Sequence, residues 1–84
     1  MNNTKNNSNN LSKNIYETNE SYRKRQWFVI NYLQYDKTTT VPEAIRMANL
    51  WINMINLGCR YPEPLERKIQ QFMKYANKEI TTAN

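Results

Sequence analysis

The chain has 84 residues, with 12 Lys and Arg against 7 Asp and Glu (net charge +5), one Cys, one Gly and no His. That length fits one domain at most, and the composition leaves no intrachain disulfide, no usual metal-ligand set and no glycine-rich phosphate loop, so neither metal nor cofactor is expected. The opening residues lack an apolar signal region and no run approaches the ~20 apolar residues of a membrane span, which predicts a soluble intracellular protein.

Residues 1–10 contain six Asn. Such a polar tract cannot bury enough surface to offset its ordering entropy and is expected to be a disordered tail. From there residues 11–80 read as a single helical domain, with residues 81–84 as a frayed C-terminus. Leu11, Ile15 and Tyr16 leave room for a short extra N-terminal helix of one or two turns packed on the domain edge.

The first main helix is predicted over about residues 20–35, capped by Ser21 or Asn19. At ~100° per residue, Tyr22, Val29, Tyr32 and Leu33 share a side with the stem of Arg25, Phe28 flanks them, and Trp27 falls nearly opposite. Trp27 is therefore expected to cover the N-terminal segment or a satellite cluster or, less simply, to meet a partner. Asp36 to Thr40 form a loop, since three consecutive Thr are poor helix formers.

Thr40, Pro42 and Glu43 mark the start of a second helix, over about residues 42–56. Its apolar residues cover an arc of roughly 220°, which places it at the centre of the domain with Trp51, Ile52 and Ile55 in the core. The remaining stripe is Arg46, Asn49, Asn53 and Asn56. Asn has no helix propensity to recommend it there, but an amide that donates and accepts suits a helix edge that meets another chain's backbone. A stripe that faces only water fits the same pattern. Gly58 ends this helix as its C-terminal cap.

The third helix is predicted over about residues 62–78, with a core stripe of Leu65, Ile69, Phe72, Met73, Ala76 and Ile80. Glu66 is placed on its outer side, where Glu63 and Glu66 complement the helix dipole and support Arg67 and Lys68. With no strand alternation, the fold class is all-α: a small antiparallel bundle of three main helices.

Little here supports catalysis. There is no imidazole to act with Cys59, and Glu63 and Glu66 lie on a helix start rather than in a paired site. A helix-turn-helix reader of DNA would place two acidic residues where phosphates should sit. A small basic RNA-binding protein is the alternative function, with Arg23-Lys24-Arg25 on phosphates and Trp27, Tyr32 and Tyr35 stacking on bases.

Trp51-x-Asn53 followed by Leu57-Gly58-Cys59-Arg60-Tyr61-Pro62 resembles the motif of the XTBD family of exoribonuclease-binding domains. Upstream, Tyr22-Arg23-Lys24-Arg25-Gln26-Trp27-Phe28-Val29-Ile30 resembles the family's Trp-x-x-Arg-x-x-Phe-hydrophobic segment, and Leu65, Lys68 and Ile69 extend the match downstream. Tyr22 stands where the family usually has Trp, Trp27 at a usually polar position, and Ala48 in place of a frequent Ser. The resemblance covers about residues 20–80. It implies a noncatalytic module that binds a nuclear 5′-to-3′ exoribonuclease in a 1:1 complex as a monomer, in the nucleus with the cytoplasm as a second location. It makes Tyr61 the principal anchor, with Arg60, Asn53, Asn56, Asn49 and Arg25 as further partner-binding residues. Phe28, Val29, Trp51, Ile52, Ile55, Leu65, Ile69 and Phe72 form the core, and direct contact with nucleic acid is at most weak.

Overall fold

A computed structural model describes residues 11–81, with side chains described as far as Glu79. The expectations for the Asn-rich residues 1–10, for residues 82–84 and for the Ile80 side chain lie outside the described residues. Three α-helices follow in order, α1 over Asn19–Tyr35, α2 over Val41–Leu57 and α3 over Glu63–Tyr75, and the last widens into a π-helix over Ala76–Thr81. No strand occurs among the described residues.

The boundaries follow from local chemistry. The N-cap of α1 is Thr18, whose hydroxyl accepts from the Ser21 N–H at 3.0 Å, so the expected cap at Ser21 or Asn19 falls one to three residues late. The start of α2 is a complete capping box: Thr40 accepts from the Glu43 N–H, the Glu43 carboxylate accepts from the Thr40 N–H, and Pro42 occupies the first turn. Gly58 closes α2 in the left-handed conformation at φ 72°. A Cβ at that position would meet nothing within 4 Å, so the glycine serves backbone conformation alone.

Residues 11–18 do not form the extra helix. They run as a strap with one turn, closed by the Glu17 N–H to the Asn14 carbonyl at 3.1 Å and by the Asn14 N–H to the Glu17 carboxylate at 3.2 Å. Leu11 packs partly against the core. The Tyr22 hydroxyl donates to the Leu11 carbonyl at 3.2 Å and Arg25 donates to the Ser12 carbonyl at 2.8 Å, so α1 holds the strap along its length.

The core joins the three helices through aromatic rings. Phe28 of α1, Trp51 of α2 and Phe72 of α3 meet with centroids 4.8 to 5.1 Å apart for Phe28–Phe72 and Phe28–Trp51. Val29, Ile52, Ile69, Ala44, Ala48 and Ala76 fill the space around them, and all are buried. Small alanines on α2 let α1 approach closely, and α1 and α2 are antiparallel: Arg25 pairs with Asn49, whereas Tyr32, two turns later on α1, shares a cleft with Glu43 and Met47 near the start of α2. Leu65 is half-buried against this core.

Two core expectations need correction. Ile55 is 47% exposed. It lies on the core side of α2, but one turn beyond Trp51 and Ile52, where no facing layer covers it. Trp27 is half-buried and packs on both Trp51 and Phe72, each at 5.8 Å between centroids. A single-stripe wheel misplaces it because α1 is covered from two sides, by α2 and by α3, and so buries a wider arc than one stripe.

Removal of the Trp27 ring opens a gap between Trp51 and Phe72. Trp27→Ala is expected to lower stability by about 3 kcal/mol in urea or thermal denaturation, while Ile55→Ala costs under about 1 kcal/mol. Equal losses for the two would contradict this packing.

Candidate functional site

The α2–α3 corner is built from hydrogen bonds that leave little freedom. The Gly58 N–H reaches the Met54 carbonyl at 3.1 Å and the Cys59 N–H the Asn53 carbonyl at 3.3 Å, which closes α2. Pro62 then heads α3, accepting from the N–H groups of Leu65 and Glu66 at 3.0 and 3.2 Å, while Pro64 brings no donor of its own. With no side chain to cap the helix from outside, Glu66 reaches back. Its carboxylate accepts from Arg60 Nε at 2.8 Å, from Arg60 Nη2 at 2.7 Å and from the Tyr61 N–H at 2.7 Å.

Three donors on one carboxylate favour its ionised form. The Arg60 hydrogen bonds first, then the Tyr61 N–H, hold Glu66 down to about 2, and Glu66 in turn raises Arg60. The Glu66 side chain is only 7% exposed whereas that of Arg60 is 79% exposed, so the arginine lies over the carboxylate with its outer face open. On the other side of the corner, Asn53 Nδ2 donates to the Tyr61 hydroxyl at 3.1 Å. Tyr61 is thus fixed at both ends, by its backbone to Glu66 and by its hydroxyl to Asn53, and the residue is half-buried. Leu57, 73% exposed, and half-buried Met54 add apolar surface just before the turn.

The structure brings together Tyr61, Arg60 and Asn53 of the expected partner-binding residues, while Asn56 is exposed one turn below Asn53. Arg25 is placed otherwise, and Asn49, though exposed, has its Oδ1 engaged by Arg25. Arg25 is 4% exposed, and its guanidinium is occupied by Glu17 at 2.7 and 2.8 Å, by the Ser12 carbonyl and by Asn49 Oδ1 at 3.0 Å. It is an internal staple rather than a surface contact, because a buried guanidinium must find acceptors for its fan of N–H groups within the fold. Asn49 supplies one of them. Glu17 is held down to about 2, chiefly by Arg25, with Asn14 and Ser21 assisting against the cost of burial.

Glu66 also departs from its expected outward position. On the α3 wheel it falls beside Met73, at the flank of the core stripe, and the chain's turn places Arg60 directly above it. An Arg six residues before a Glu across a Pro-containing helix start was the available signal. The basic run is not a continuous surface: Arg23 and Lys24 are exposed, Lys24 pairs with Glu20 at 3.5 Å, and Arg25 is buried. The aromatics that would stack on bases are also engaged, Trp27 and Tyr32 with the core and Tyr35 with Tyr75 at 4.8 Å. A cleft of about 140 Å³ between Tyr32, Thr39, Glu43, Arg46, Met47, Leu65 and Lys68 carries charged groups of both signs at its mouth. Among the described residues no cluster of His, Cys, Asp or Glu could hold a metal ion, and no helix is long and apolar enough to cross a membrane.

The corner thus presents, on a small helical domain, a tyrosine hydrogen-bonded at both its backbone N–H and its hydroxyl. Residues 10–84 match the family described as XTBD, the XRN-Two Binding Domain, and the chain belongs to that family. The family is named for binding XRN, and the chain's class is accordingly a protein-interaction module. No curated protein and no solved structure matches the chain.

Glu17 and Glu66 have folded-state values near 2 against an ordinary 4.5, so their contribution is fully present above about pH 5 and is lost as pH falls toward 2. Carboxyl-detected NMR titration is expected to find both well below the ordinary 4.5. Arg60→Ala should raise Glu66 toward the ordinary range, with the Tyr61 N–H still holding it part of the way down, and leave Glu17 unchanged. Titration of Glu66 near 4.5 in the unaltered protein would contradict the corner geometry.

Proposed function

We propose that this chain is a noncatalytic module that docks on a nuclear 5′-to-3′ exoribonuclease of the XRN type through the α2–α3 corner, with Tyr61 as the anchor. By occupying that surface it stabilises the nuclease or sets its location, and so influences RNA processing and decay in the compartment where the nuclease works. The observation that carries the reading is the fixation of Tyr61 by Glu66 and Asn53 while the residue stays partly open to solvent. A ring ordered before binding loses little entropy on contact, and Tyr with a neighbouring Arg is the pairing that dominates interface hot spots. Membership of the XRN-binding family supports the choice of partner.

Exposed Leu57 and half-buried Met54 supply the apolar surround that excludes water from such an anchor. Arg60 contributes at the rim: its charge is already neutralised by Glu66, so it offers hydrogen bonds more than net attraction. Asn53 acts mainly through Tyr61, and Asn56 lies within reach of the same surface. The complex is expected to contain one copy of each partner.

Co-expression with the exoribonuclease and affinity capture tests this directly. The wild-type chain is expected to retain the nuclease at moderate salt, and Tyr61→Ala is expected to weaken binding by about 2 kcal/mol or more, roughly thirtyfold. Capture that collapses with salt, depends on Arg23 and Lys24 and ignores Tyr61 would instead indicate nucleic acid as the partner.

A further inference from the structure

The strap before α1 displays two large apolar side chains to solvent. Ile15 is 89% exposed and Tyr16 is 96% exposed, side by side at the tip of the turn between Asn14 and Glu17. Single exposed apolar residues are ordinary, but adjacent ones on a turn held so firmly are not. Asn14 and Glu17 close the turn on each other, Ser21 donates to Glu17 at 3.1 Å, and the buried Arg25 fastens Glu17 from below. The strap as a whole places one half-buried residue, Leu11, on the core. Ordering eight residues and burying an ion pair for that one contact is a poor exchange if the core is the only beneficiary.

The position of the turn indicates what it serves. Arg25 links it to Asn49, and Asn53, one helical turn and about 6 Å further along the same face of α2, carries Tyr61. A relay of contacts, Glu17 to Arg25 to Asn49 and then Asn53 to Tyr61, thus connects the turn to the corner. A partner footprint of ordinary size covers about 800 Å² per side, more than the corner alone offers.

We propose that Ile15 and Tyr16 form a second anchor that enters an apolar pocket on the same exoribonuclease molecule that Tyr61 engages. This rests on the functional reading above and extends it to a two-point attachment. Because the turn is fixed relative to α2 by the Arg25 staple, both anchors are presented together and the second contact forms without a further loss of translational freedom. The Arg25–Glu17 pair thereby acts as the brace that sets the spacing between the anchors.

The test is calorimetric titration of the purified full-length chain against the exoribonuclease, for wild type, for Ile15→Ser with Tyr16→Ser, and for Ile15→Leu with Tyr16→Phe. The Ser pair is expected to weaken binding at least tenfold while its melting temperature and circular dichroism match wild type, and the Leu/Phe pair is expected to bind within about threefold of wild type. Binding of the Ser pair at full strength overturns the second anchor and leaves the Tyr61 reading standing. A wild-type chain that does not bind the nuclease at all overturns both. Sedimentation that finds a wild-type dimer dissolved by the Ser pair, with nuclease affinity unchanged, assigns the turn to a second copy of the chain and also overturns the proposal.

Discussion

Phe72 is the residue on which the architecture turns. It is fully buried and lies within 4.8 to 5.8 Å, ring to ring, of Phe28, Tyr32, Tyr35 and Trp27, so one side chain of α3 is gripped by four aromatics of α1. Phe28 and Trp27 pass that contact on to Trp51 of α2. A short domain has few core residues to spend, and large rings in edge and tilted contacts deliver much burial per residue. With α3 seated by Phe72, its first turn has a fixed position beneath the end of α2, and Glu66 can reach both Arg60 and the Tyr61 N–H.

Two carboxylates with similar chemistry then act at the strap and at the corner. Glu17 receives Arg25 and ties the N-terminal strap to α1, and Glu66 receives Arg60 and ties the corner to α3. The first pair is enclosed, with side chains 4% and 7% exposed, whereas the second leaves its arginine mostly in solvent. An enclosed pair fixes geometry more than it adds stability, because desolvation offsets much of the attraction. The half-open pair at the corner meets less of that cost and keeps the outer face of its guanidinium available for contact.

The three helices, the Gly58 cap, the Thr40 start and most of the core were legible because each rests on local pattern: apolar spacing, a single glycine and a Thr-x-x-Glu box. Trp27 was not, since a wheel assumes one covered face and α1 has two. Ile55 shows the converse failure, a residue on the correct face at a depth where its neighbours end. Arg25 and Glu66 depended on contacts eight and six residues away along the chain, with Glu17 and Arg60, and no helical periodicity encodes those. At the site, Asn53, Arg60 and Tyr61 were legible through the motif they share, while the division of the Asn stripe between Arg25 and Tyr61 required the fold.

Asn49 joins the stripe to the strap through Arg25, and Asn53 joins it to the corner through Tyr61. Recognition of the exoribonuclease through the corner, with the strap turn as a second contact, is the central proposal. Hydrogen–deuterium exchange of the chain, alone and with the exoribonuclease, tests it most directly. The account predicts new protection across Asn53 to Glu66 and Ser12 to Glu17, with Gln70 to Lys74 of α3 unchanged. Protection confined to the outer face of α3, with the corner unaffected, would contradict it.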